Sequence, residues 1–134
     1  MKAEELMIGD WVQDDEPDAD GIITRCKVEA EDFMNEAFMN HTVPVPITPQ
    51  ILKDNGFDDD GKLITNKLGI CYKQGLLGIF YIIHLEDEMH TLMFNDYDHK
   101  LTLGNIDYIH QLQHALRLCG VDKEIILNIE IQAK

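Results

Sequence analysis

His110 and His114 are the residues in this chain best spaced for chemistry. Four positions apart on a helix, two imidazoles can meet one metal ion. The run His110-Gln111-Leu112-Gln113-His114 has the outline of the H-E-x-x-H of zinc peptidases. Gln111 stands where the glutamate base would be, however, and an amide cannot take a proton from a metal-bound water. On a helical wheel of about 100° per residue, the two histidines fall about 160° to either side of Leu112, opposite the apolar stripe. They and Gln111 are therefore expected on a solvated or partner-facing surface, or beneath another layer. A metal site at His110 and His114 would need a third ligand from elsewhere.

The other candidates are weaker. Glu16-x-Asp18-x-Asp20-Gly21 starts like a calcium loop, but its first position is Glu and its twelfth would be Lys27 instead of a bidentate Glu. It reads as a solvated loop, and Asp58-Asp59-Asp60-Gly61 as a turn. His84 and His90 flank Glu86-Asp87-Glu88 in one hairpin, a set that strand spacing does not force onto one ion. Cys119 lies in an apolar stripe, and with Cys26 and Cys71 it reads as a buried thiol, not a nucleophile. There is no G-x-S-x-G, P-loop or dinucleotide-binding glycine pattern. The aromatic residues lack neighbouring Lys or Arg, so no stacking platform for single strands is visible.

These residues must be positioned by a small set of elements. The clearest is a helix over Asn105 to Gly120. Tyr108, Ile109, Leu112, Ala115, Leu116 and Cys119 form its core stripe, Asn105 its N-cap and Gly120 its left-handed end. Gly9 bends Leu6–Ile8 into a strand at Trp11 and Val12. Ile22 to Val28 favours a strand with Ile22, Thr24, Cys26 and Val28 on one face. Glu29 to Asn40 reads as helix, although its Phe and Met residues also suit a sheet. The prolines of Val43 to Pro49 exclude a central strand and predict an edge or a connector. A short helix follows, with Thr48 as cap, Pro49 at its first position and Gly56 after its end. Phe57 folds back onto it.

Lys62–Tyr72 and Leu76–Leu85 read as strands, the second apolar enough to be central and buried on both faces. Met89–Phe94 completes a second hairpin, and Asn95–Lys100 is a polar loop. In a last strand Ile125, Leu127, Ile129 and Ile131 share one face and meet the helix.

The 134 residues fit a single domain, 1–134, with an N-terminal β subdomain at 1–47 and an α+β core at 48–134. The expected class is α+β: a mostly antiparallel sheet with one main C-terminal helix packed on it and a small N-terminal β subdomain. The charge of −14, from 11 basic and 25 acidic residues, disfavours nucleic acid and anionic membranes. It suits solubility, or an acidic mimic of DNA. No apolar run is long enough to span a bilayer, and the N-terminus has no signal-peptide h-region. Three widely spaced cysteines, an odd number, point to a reducing cytoplasm.

Three phrases together carry a resemblance. They are Leu6-x-Ile8-Gly9-Asp10-Trp11-Val12, Pro44-Val45-Pro46-Ile47-Thr48-Pro49-x-Ile51-Leu52-x-x-x-Gly56-Phe57, and Tyr108-Ile109-His110-Gln111-Leu112-Gln113-x-Ala115-Leu116. In this order the chain resembles a family of small proteins from Bacteroidetes genomes and their phages or mobile elements. The resemblance implies a bacterial cytoplasmic or phage-encoded setting and no particular reaction. The chain departs from that pattern at His114 to Leu118, where many members carry Asn and an aromatic pair. A metal role for His114 is therefore not implied as a family trait.

The functional expectation is a non-enzymatic accessory or interaction protein of phage or mobile-element type. His110, Gln111 and His114 are its candidate contact surface, and its partner is an unidentified protein or a second copy of the chain. No cofactor is expected. The alternatives are a metal-dependent hydrolase using His110 and His114, and an acidic inhibitor that mimics DNA.

Overall fold

Gly9 takes a left-handed backbone (φ 93°) and turns the chain into strand β1 (Trp11–Asp14). The computed structural model describes residues 6–59, 69–74, 79–84, 90–96, 99–104, 106–118, 120–121 and 124–132. The expectations for Asn105, Cys119, Asp60-Gly61, Glu86–Glu88 and the side chains of Cys71 and His84 lie outside the described residues.

β1 pairs antiparallel with β2 (Ile22–Lys27) and with the short β3 (Thr42–Pro44). Strand alternation then sorts their side chains between two cores. Trp11 joins the main core, whereas Val12 joins a smaller cluster with Leu6, Val28 and Met39, against which Cys26, Phe33 and Phe38 pack. A 3-10 helix (Ala30–Met34) and helix α1 (Glu36–His41) supply that second layer. Glu29 to Asn40 is thus helical but broken at Asn35, whose side chain caps α1 by accepting from Phe38 N–H. β3 lies at the sheet edge, as the prolines require.

Helix α2 (Pro49–Asp54) forms where its local signals predict it. Thr48 accepts from Ile51 N–H, Pro49 opens the first turn, and Gly56 takes φ 86°. Phe57 behind it is fully buried. It opens β4 (Phe57–Asp59), the first strand of a five-stranded antiparallel meander with β5 (Gly69–Gln74), β6 (Ile79–His84), β7 (His90–Asp96) and β8 (His99–Gly104). β6 is its central strand, with Ile79, Tyr81 and Ile82 buried. The polar stretch predicted as a loop at Asn95–Lys100 instead pairs across a hairpin, Asn95 opposite Lys100 and Asp96 opposite His99. Cross-strand pairing here outweighs the polarity of the side chains.

Helix α3 (Ile109–Leu118) packs on the meander and buries Ile109, Leu112, Ala115 and Leu116 in the main core, beside Tyr81, Leu92 and Trp11. It starts later than predicted, and Tyr108 is exposed before its first turn. The predicted last strand also shortens. Ile125 and Leu127 are buried, but the alternation breaks and Ile129 is exposed. Only β9 (Glu130–Gln132) pairs, against β2. The first sheet therefore runs β3-β1-β2-β9 and takes one edge strand from the C-terminal region. Among the described residues, no helix is long and apolar enough to cross a membrane.

Candidate functional site

α3 carries two stripes. Opposite the apolar one, Gln113, Arg117, His110 and His114 occupy an arc of about 100° on the same wheel. Polarity alone assigns that arc to solvent. In the fold, the turn Met7–Asp10 and the start of β1 bond to Gln113, His114 and Arg117; Gln113 is buried and His110 is only 5% exposed. His110 is thus buried, whereas His114 is covered only in part.

The centre of this layer is Asp10, fully buried. Its carboxylate closes its own turn by accepting from Met7 N–H at 2.7 Å, while Asp10 N–H donates to Met7 C=O at 3.0 Å. The same carboxylate takes His114 Nε2 at 2.6 Å and Arg117 Nη2 at 3.4 Å. Gln113 satisfies the adjacent backbone. Its Oε1 accepts from Trp11 N–H at 3.0 Å, and its Nε2 donates to Gly9 C=O at 3.1 Å. Buried peptide groups need such partners, so a polar helix stripe is the surface this turn requires. Trp11 is then held at its far end, where Nε1–H donates to Ile125 C=O at 2.8 Å.

Gln111 has a separate task. Its Oε1 accepts from Asp107 N–H at 2.9 Å and Tyr108 N–H at 3.1 Å. Tyr108 C=O takes the first helical bond, from Leu112 N–H. Gln111 is therefore the third-position half of a capping box, reaching back to the cap residue. Ile109 N–H is covered by Val45 C=O, so the proline-rich connector completes the cap.

The three candidate residues are thus brought near one another but do different things. The His110 ring stacks on Tyr108 with centroids 6.1 Å apart and meets His114 edge-on at 5.7 Å. His114 bonds to Asp10, and Gln111 caps the helix. An Asp–His pair can orient an imidazole for proton transfer. Among the described residues, however, no hydroxyl or thiol is hydrogen-bonded to His114. Nor do three or more His, Cys, Asp or Glu side chains group to hold a metal there.

Comparison with protein-family models, with curated proteins and with solved structures finds no match.

A second polar knot lies on the meander side of α3. The Tyr81 hydroxyl donates to Ile106 C=O and meets His90 Nδ1 at 2.5 Å. A carbonyl can only accept, so the hydroxyl proton goes to Ile106 and His90 Nδ1–H donates to Tyr81. Burial, with the Asp107 charge adding to it, pushes the Tyr81 phenol well above its usual range. This group is a neutral structural donor.

Sequence reasoning passed over Asp10, Gln113 and Arg117. The available signal was Gly9-Asp10 before a buried tryptophan, together with a helix whose polar arc holds long hydrogen-bonding side chains and no exposed-face Glu/Lys pairs.

Proposed function

We propose that the chain is a non-enzymatic interaction protein whose contact surface is the Met7–Ile8 knuckle beside the end of α3. The observation that carries this reading is an apolar turn tip held out from a rigid base. Ile8 is 64% exposed and Leu118 82% exposed, while Asp10, two residues from Ile8, is locked in place by three hydrogen-bond partners. Arg117 links the two, reaching Met7 Sδ at 3.5 Å as well as Asp10. Beside them opens a cavity of about 330 Å³, lined by Gly9, Lys27, Gln113, Arg117, Val121 and Glu124 among others. A preorganised apolar tip next to a recess is the anatomy of an interface hot spot. A phage or mobile-element accessory setting belongs to the same proposal.

The test compares Ile8→Asp with Met34→Asp, a like change at an exposed methionine on the 3-10 helix. Both variants should melt with the parent. Only Ile8→Asp should lose a co-purifying protein, or self-association in sedimentation. Equal retention or equal loss by the two removes this surface. Because His110 is buried and Gln111 and His114 each hold an internal hydrogen bond, their replacement is expected to lower the melting temperature and cannot serve as the test.

One observation favours mimicry of DNA charge as a second reading. Twelve of the 25 acidic residues and three of the 11 basic ones lie in residues 1–41. Asp32, Asp14 and Glu29 all act on the Cys26 thiol, so three of these charges lie near one residue. Competition with duplex DNA for a basic protein tests it.

A further inference from the structure

The most buried cation among the described residues lies outside the Asp10 site. Arg25 is 8% exposed, in the middle of β2. Its Nε–H donates to Gln13 Oε1 at 3.2 Å, its cross-strand neighbour on β1. Its backbone N–H donates to Ile129 C=O. Among the described residues no carboxylate comes within ion-pair distance of its guanidinium. The chain has more than twice as many acids as bases, yet among the described residues none pairs with this arginine. A buried charge is costly unless paired, and buried arginines are usually held by a carboxylate or phosphate. Burial accordingly pushes the Arg25 pKa down from its usual value.

Arg25 lines a cavity of about 440 Å³ between β2, α2 and the segment leading into β9. This volume suits a small molecule. Ile51, Leu127 and Ile131 supply apolar wall, and Asn128 and Gln132 polar edge. Gln13 holds the Nε side of the fork, which leaves the two Nη groups for a ligand. Asp54 also lines the cavity, exposed and accepting from Gln50 Nε2 at 2.7 Å. Its charge opposes a doubly ionised group more strongly than a singly ionised one.

We propose that this cavity binds a small monocarboxylate with a short apolar body, its carboxylate on Arg25 and its body against Ile51, Leu127 and Ile131. This site is separate from the Met7–Ile8 surface, and either can fail without the other.

The probes are hexanoate, its neutral counterpart hexanamide, and inorganic phosphate, each titrated at millimolar concentration against the full chain by amide NMR. Hexanoate should shift resonances of Arg25, Ile51 and Ile131, with hexanamide and phosphate about tenfold weaker or more. Equal response to hexanamide, or tighter binding of phosphate, overturns the ligand class. Absence of any response at these residues overturns the site. Arg25→Met keeps an unbranched apolar stem, ends before the guanidinium and removes the charge. It should leave melting unchanged or raise it, since a buried charge is replaced by apolar surface, and it should abolish the hexanoate response. A marked loss of stability in Arg25→Met would assign the arginine a purely structural role. Ile131→Trp fills the cavity while keeping Arg25, and should also remove the response. Retained binding in Ile131→Trp would place hexanoate elsewhere and refute the proposal.

Discussion

Asp10 illustrates how one buried acid can organise a surface feature. It is the only described side chain that touches the turn, His114 and Arg117 at once. Asp10→Ala would leave a backbone N–H, an imidazole and a guanidinium short of an acceptor, and should cost about 2–4 kcal/mol. His114 and Arg117 are partly exposed and recover some hydration, which keeps the figure below that of a fully buried ion pair. Urea unfolding at unchanged m-value measures this, and a loss under about 1 kcal/mol would contradict the assigned role. Cys26 gives a second residue-scale expectation. Burial first, then the charges of Asp32, Asp14 and Glu29, push its thiol above the ordinary range. Mass-spectrometric mapping of iodoacetamide labelling should find Cys26 slower than a free thiol, and faster after Asp32→Asn or in added salt.

At the scale of elements, α3 depends on a cap that its own first turn provides. Gln111→Ala removes acceptors from Asp107 and Tyr108 N–H and should destabilise the chain by about 0.5–2 kcal/mol. Gln111→Glu keeps the acceptor, adds negative charge at the positive end of the helix, and should be neutral or stabilising. It also completes the H-E-x-x-H pattern at His110–His114. With His114 bonded to Asp10, no peptidase activity should appear with added zinc. Activity would show that the Asp10 contact yields to the metal. Gly9 is a further element-scale constraint. At φ 93° an L side chain is strained although a Cβ has room there, its nearest contact being Arg117 Nη2 at 3.9 Å. Gly9→Ala should therefore cost about 1 kcal/mol by backbone strain alone.

For the whole molecule, pH and salt act through separate groups. The Tyr81 phenol binds its proton more tightly folded than unfolded. Its contribution is intact below the ordinary phenol pKa of about 10 and is lost as pH rises toward the folded value. Tyr81→Phe should lower stability at neutral pH by about 1–3 kcal/mol, because Ile106 C=O and His90 N–H lose their partner. It should also flatten the decline between about pH 9 and pH 11. An equally steep decline in that variant would assign the effect to other groups. Net charge works independently of this knot. At −14 the folded chain repels itself, so moderate sodium chloride should raise the melting temperature by screening.

Local order was legible where one residue type answers one local demand. Thr48, Pro49 and Gly56 bound α2, Gly9 opens β1, the Val43–Pro49 prolines keep β3 at an edge, and the apolar run at β6 makes it central. The α+β class follows from these and from the stripe of α3. What the chain alone could not decide is what covers a face. The polar arc of α3 reads as solvent-facing because periodicity reports polarity, not burial. Only the arrival of Met7–Trp11, about a hundred positions away in sequence, gave Gln113 and His114 internal partners. Arg25 was hidden for the same reason. Alternation set it on the face opposite Cys26, and whether α2 and the β9 segment would close over that face was a matter of long-range packing. A hydrogen-bond donor in a sequence carries no mark of its acceptor, so the pairings that define both sites existed only once the two sheets and α3 had met.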